Sequence, residues 1–137
     1  MRQPEHIGGV VVLDFPELAI SNVKARVDTG ATSCSIWAKD IKKVNDGLEA
    51  VLCTSKNGQS LHKVLFKKYE SAIVKSANGS REARYKVPIL VQLKGRKIRV
   101  RFTLSDRTDM KYSVLVGRNM LRGKFIVDLT KSHKEVT

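Results

Sequence analysis

Asp28-Thr29-Gly30-Ala31 and Val114-Leu115-Val116-Gly117-Arg118-Asn119-Met120-Leu121 are the two stretches of this chain whose residue types suggest chemistry. A carboxylate in a tight, glycine-containing loop suits general acid–base work, provided that a second carboxylate lies close enough to share its proton. Two like charges in contact cannot both ionise, so one pKa rises while the other stays low. The neutral acid and the ionised base together can activate a water and protonate a carbonyl oxygen with no covalent intermediate. Only one Asp-Thr-Gly is present in 137 residues. The site therefore requires a symmetric dimer, or there is no catalysis of this kind.

Each residue has a chemical reason to be there. Asp28 supplies the carboxylate, and Thr29 can hydrogen-bond across a two-fold axis. Gly30 lets a backbone N–H approach the carboxylate, and Ala31 keeps the floor of a cleft small. Cys34, six residues on, could be a nucleophile, but no His near it in sequence is an obvious base; a small apolar residue under the loop is the preferred role. Trp37 is read as core or cleft wall.

The elements that must position these residues are strands. Ile7 to Asp14 is rich in Val and Leu, Phe15-Pro16-Glu17-Leu18 interrupts it, and Asn22 to Val27 alternates apolar and polar residues before reaching Asp28. Leu48 to Thr54 and His62 to Tyr69 read as further strands. Ser71 to Ser76 and Arg81 to Leu93 flank Ala77-Asn78-Gly79-Ser80, where Asn-Gly predicts a type I′ hairpin turn. A second tight turn is placed at Gly95-Arg96. In Ile98 to Leu104 the apolar residues share one face and the basic ones the other. Asn119 to Arg122, closed by Gly123, predicts one short helical turn, and Phe125 to Leu129 a last strand. Many short strands, little helix and no repeat predict an all-β, closed or nearly closed barrel with one short C-terminal helix. The whole chain, 1–137, reads as a single domain with a core over about 7–130 and flexible termini.

Lys and Arg number 26 against 13 Asp and Glu, giving a net charge of +13. A field of that sign attracts nucleic acid, an anionic membrane surface or an acidic polypeptide, although a solvated basic surface without a partner has the same composition. No apolar run approaches transmembrane length, and nothing behind Met1 makes a signal h-region. If Met1 is the native start, a cytoplasmic protein with reduced Cys34 and Cys53 is expected; a chain trimmed of a leader would look the same.

The motif set is specific when taken together. Pro16-Glu17-Leu18, Lys24 to Ser33 around Asp28, Leu104 to Met110 (LSDRTDM), Leu115 to Asp128 and the Asn78-Gly79 hairpin resemble the single-domain, retropepsin-like aspartic peptidases. Closer still, they resemble a bacterial and archaeal family labelled ATP-dependent zinc proteases, now regarded as retropepsin-like and associated with the ligase that adds glutamates to a ribosomal protein. The resemblance implies an acid-protease barrel, a homodimer, catalysis by Asp28, Thr29 and Gly30, and an oligo-glutamate substrate, with a ribosomal protein as a further partner. It also implies a substrate cleft formed by Ala31 and a flap carrying Asn78 and Gly79. Arg81 and Arg84, with Lys75 and Lys86, flank that flap and suit acidic substrate, while Arg118 and Asn119 support the site. In one respect the chain departs from the pattern: viral retropepsins carry an acidic partner for this Arg where Thr32 stands here. Asp106 or Asp109 could supply the charge; otherwise Arg118 faces substrate. No metal or nucleotide cofactor is expected. His6, His62 and His133 are scattered, His-Glu-x-x-His is missing, and the chain lacks a phosphate loop.

The alternative reading is a non-catalytic basic barrel that binds RNA or a ribosomal surface. In it Arg99-Val100-Arg101 tracks phosphates and Asp28 caps a turn. A low aromatic content, 6%, argues against base stacking.

Overall fold

The computed structural model describes residues 2–55, 57–75 and 78–131. Gly8-Gly9 separates β1 (Glu5–Ile7) from β2 (Val10–Phe15), and a 3-10 turn at Pro16–Leu18 leads into β3 (Ile20–Val27), which returns antiparallel to β2. After the Asp28 loop come β4 (Cys34–Val44), β5 (Gly47–Cys53) and β6 (Leu61–Phe66), paired in turn as antiparallel neighbours. A hairpin of β7 (Glu70–Lys75) and β8 (Arg81–Leu93) precedes β9 (Arg96–Ser105), β10 (Val114–Val116), the helix α1 (Arg118–Leu121) and β11 (Phe125–Val127).

Six of these strands close a barrel in the order β10-β3-β2-β8-β9-β4, because β4 also pairs with β10. The protein is thus an all-β barrel with one short α-helix. β5 and β6 extend from β4 as an outer flange, and β1 pairs in parallel with β11 in a separate two-stranded sheet. Alternation fills the barrel: Ile98, Val100, Phe102 and Leu104 of β9 are buried while Lys97, Arg99 and Arg101 are exposed. Phe102 meets Phe15 edge to face, ring centroids 5.9 Å apart, in the favoured geometry for aromatic pairs.

Three local features differ from the sequence reading. β4 carries no strand-like alternation in the sequence, because a bulge between Lys39 and Lys42, with Asp40 at φ 52°, interrupts it. The β8–β9 turn is centred on Lys94-Gly95 rather than Gly95-Arg96. Leu93 pairs with Arg96, and φ values of 52° and 75° at Lys94 and Gly95 match a type I′ turn. The β7–β8 hairpin forms with Lys75 opposite Arg81, a register that does not centre a two-residue turn on Asn78-Gly79. Asn78 Oδ1 accepts from Ser80 N–H at 3.1 Å, while Ala77 of the expected turn and Ser76 at the end of the expected strand lie outside the described residues.

Candidate active site

β3 ends at Val27 and β4 begins at Cys34; β10 lies between them, parallel to β3 and antiparallel to β4. Residues 28–33 must therefore arch over the end of β10. The arch is tied down by its backbone: Asp28 N–H donates to the Val116 carbonyl at 2.9 Å, and the carbonyls of Ala31 and Thr32 accept from Arg118 N–H at 2.8 Å and Asn119 N–H at 3.0 Å. Asp28 is half-buried, and its Oδ1 accepts from Gly30 N–H at 2.9 Å. A Cβ on residue 30 would lie 3.2 Å from that oxygen, so glycine keeps the approach open. Thr29 is exposed beside it, and Ala31 is partly covered.

The second stretch locks the arch from below. Gly117 passes so close that a Cβ there would stand 2.4 Å from the Ser33 carbonyl oxygen, a contact only glycine avoids. Asn119 Oδ1 accepts from Cys34 N–H at 3.1 Å and from its thiol at 3.0 Å, while Asn119 Nδ2 donates to the Arg101 carbonyl at 3.1 Å. Gly117 N–H donates to Cys34 Sγ at 3.3 Å. Desolvation pushes the Cys34 thiol up to about 11, so it stays protonated at neutral pH and is no nucleophile.

Arg118 reaches neither Asp106 nor Asp109. Its Nη1 donates to the Thr29 carbonyl at 2.9 Å and its Nη2 to Thr32 Oγ1 at 3.0 Å, so a hydroxyl stands where an acidic partner was expected. Asp106 turns instead onto the N–H and hydroxyl of Thr108, which lowers its pKa. The guanidinium braces the catalytic-type loop from within one chain, through neutral acceptors.

A cleft of about 430 Å³ lies between this arch and the β7–β8 hairpin, lined by Ser33, Glu70, Ala72, Arg84, Lys86 and Thr103. Alternation along β8 assigns Arg84 and Lys86 to the cleft face, and the opposite face carries Arg81. Asn78 and Gly79 are exposed at the hairpin end. Glu70, the acidic residue of the cleft, is paired with Arg101 at 2.7 Å.

Residues 7–136 match the model of the RimB-like family, described as retropepsin-like aspartic endopeptidase RimB. The chain belongs to the RimB-like family. A protein named probable alpha-L-glutamate ligase from Shewanella pealeana is 36% identical over 124 residues, 86% of this chain and 27% of the relative. One of the same name from Desulfotalea psychrophila is 30% identical over 127 residues, covering 89% and 27%. The chain thus spans about a quarter of the length of the curated relatives it matches. The crystal structure of Lpg0085, a protein of unknown function from Legionella pneumophila, superposes with a TM-score of 0.70 at 20% identity, over 93% of this chain and 95% of that one, which establishes a shared fold.

Within this RimB-like barrel the remaining sequence candidates are accounted for. Arg99 makes a bidentate pair with Glu17, both bonds 2.9 Å, so the basic strand proposed to track phosphates presents Arg99 and Arg101 already matched to carboxylates. His62 bonds the Thr54 hydroxyl and His6 lies 3.8 Å from Asp128; His133 lies outside the described residues. Among the described residues no cluster of three metal-binding side chains occurs, and no helix is long and apolar enough to cross a membrane. Trp37 is buried, its indole against Gly58. Sequence reasoning missed Ser33 and Thr103 as cleft residues. The outward alternation of β9 could have disclosed Thr103, but Ser33 depends on the unseen strand β4.

Proposed function

We propose that two copies of the chain assemble a cytoplasmic peptidase in which paired Asp28 carboxylates activate a water to hydrolyse an acidic polypeptide, with oligo-glutamate tails on a ribosomal protein as the substrate implied by the family. The observation that carries this reading is the Asp28 loop: a single half-buried carboxylate, one oxygen held by Gly30 N–H, on an arch braced by Arg118. Such bracing supports a fixed geometry, which a shared-proton dyad requires. One Asp28 would take a proton from the water as it attacks the scissile carbonyl carbon, and the other would give its proton to the carbonyl oxygen. As the diol collapses and the C–N bond breaks, the first Asp28 gives its proton to the leaving nitrogen and the second takes one from a diol hydroxyl, which restores the shared proton. Arg84 and Lys86 on the cleft wall support an acidic substrate, and so do relatives whose name denotes a glutamate ligase.

The test is cleavage of a glutamate-rich peptide by the native chain and by Asp28→Asn, with the dimer followed by sedimentation. Asp28→Asn is expected to lower kcat by about a thousandfold or more while leaving dimerisation intact. Undiminished cleavage, or a strict monomer that still cleaves, would sink the proposal. RNA binding with a steep salt dependence and no proteolysis would instead favour the non-catalytic barrel.

A further inference from the structure

Lys86 of β8, Thr103 of β9 and Ser35 of β4 form one row across three strands in register. Their chain neighbours Val87, Phe102, Cys34 and Ile36 are buried inside the barrel, so the row itself projects outwards. Lys86 and Thr103 line the cleft under the hairpin, and Ser35 continues the row beyond them. Arg107 closes its far end: Nη1 donates to Ser35 Oγ at 3.4 Å and Nε to the Tyr112 carbonyl at 3.0 Å. The residue is 9% exposed, yet among the described residues no carboxylate forms an ion pair with it. A guanidinium has five donors; Nε and Nη1 meet neutral acceptors, and Nη2 is not among the buried unpartnered nitrogens, so a largely buried charge keeps one nitrogen open without a carboxylate beside it. Such a charge gains most from a carboxylate brought to it.

We infer that Ser35, Thr103 and Arg107, with Lys86 at the mouth, form a side-chain pocket of the cleft that selects a carboxylate of the substrate, Arg107 being a specificity residue. The inference rests on reading the cleft as a peptide-cleaving site and adds to it the group that reads acidity. Net charge alone would favour acidic ligands without regard to side-chain position; a pocket ties the preference to one residue. A guanidinium that only holds the 107–112 loop would, on removal, weaken acidic and neutral peptides alike.

The experiment titrates the full chain carrying Asp28→Asn, by calorimetry at 0.15 M salt or thereabouts, with a glutamate-rich peptide and with its glutamine counterpart. The glutamate peptide is expected to bind about tenfold or more tightly, and adding Arg107→Gln to reduce that preference by about tenfold. Lys97→Gln removes the same charge from an exposed site at the start of β9 and is expected to change the ratio less than about twofold. Ser35→Asp, which gives Arg107 an internal carboxylate, keeps the guanidinium paired and so covers the case in which Arg107→Gln fails to fold; it should remove the preference too. Equal weakening of both peptides, a ratio unchanged in both variants, or no initial preference overturns the pocket. Failure of the catalytic reading shows separately, as cleavage that is missing or that survives Asp28→Asn while the binding ratio stands.

Discussion

Cys34 follows Asp28 by six residues, but its thiol belongs to the other half-motif, held between Gly117 N–H and Asn119 Oδ1. Burial raises its pKa to about 11, above that of the unfolded chain. The stabilisation from the protonated thiol is therefore complete below the ordinary thiol pKa of 9.0 and is lost as pH rises through about 11, since the unfolded chain gives up its proton first. Between those values the native protein should lose on the order of 2–3 kcal/mol more stability than Cys34→Ser, as measured by urea unfolding at a series of pH values. Parallel pH profiles for the two proteins would contradict this. At the same scale, the approach of Gly30 N–H to the Asp28 carboxylate was legible from residue type alone. Thr32 was legible only as a departure, because the hydroxyl's role becomes apparent once Arg118 is seen to reach it.

Among the elements, the strands with unbroken alternation, β8 and β9, were readable from the sequence, whereas β4 was hidden by its bulge. Turn chemistry was readable in kind but not in register, as the shift from Gly95-Arg96 to Lys94-Gly95 shows. Lys94 occupies a left-handed conformation at φ 52° that costs a residue with a Cβ and suits Asn or Gly. Lys94→Asn should stabilise the protein by about 0.5–1 kcal/mol, seen as a higher urea midpoint with an unchanged slope. A lower midpoint would mean that Lys94 makes a contact worth more than the strain.

For the whole molecule, 26 basic against 13 acidic residues leave +13 per chain and 2 × 13 = +26 for a dimer. Surface pairs such as Arg99–Glu17 and Arg101–Glu70 neutralise particular sites but not the net field. Association of a glutamate-rich peptide, followed by stopped-flow fluorescence, should slow by about tenfold between about 0.02 M and 0.3 M salt. The glutamine counterpart should be nearly insensitive, and equal salt dependence for both would show that the field does not steer the ligand. The sign of this field was legible from composition. Its arrangement was not, because the pairing of Arg99 with Glu17 spans 82 residues of chain.

The sequence by itself determined the chemistry that is local or periodic: one carboxylate loop per chain, alternating strands, a basic surface and an all-β barrel. Only the tertiary structure decided that β10 lies between β3 and β4, so that Gly117, Arg118 and Asn119 support the loop from Ala31 to Cys34. It alone set Arg84 rather than Arg81 on the cleft side, and it brought Arg107 to Ser35 across 72 residues. The physical reason is that alternation specifies which side chains share a face of one strand, whereas strand order and register arise from closing the barrel around a common core.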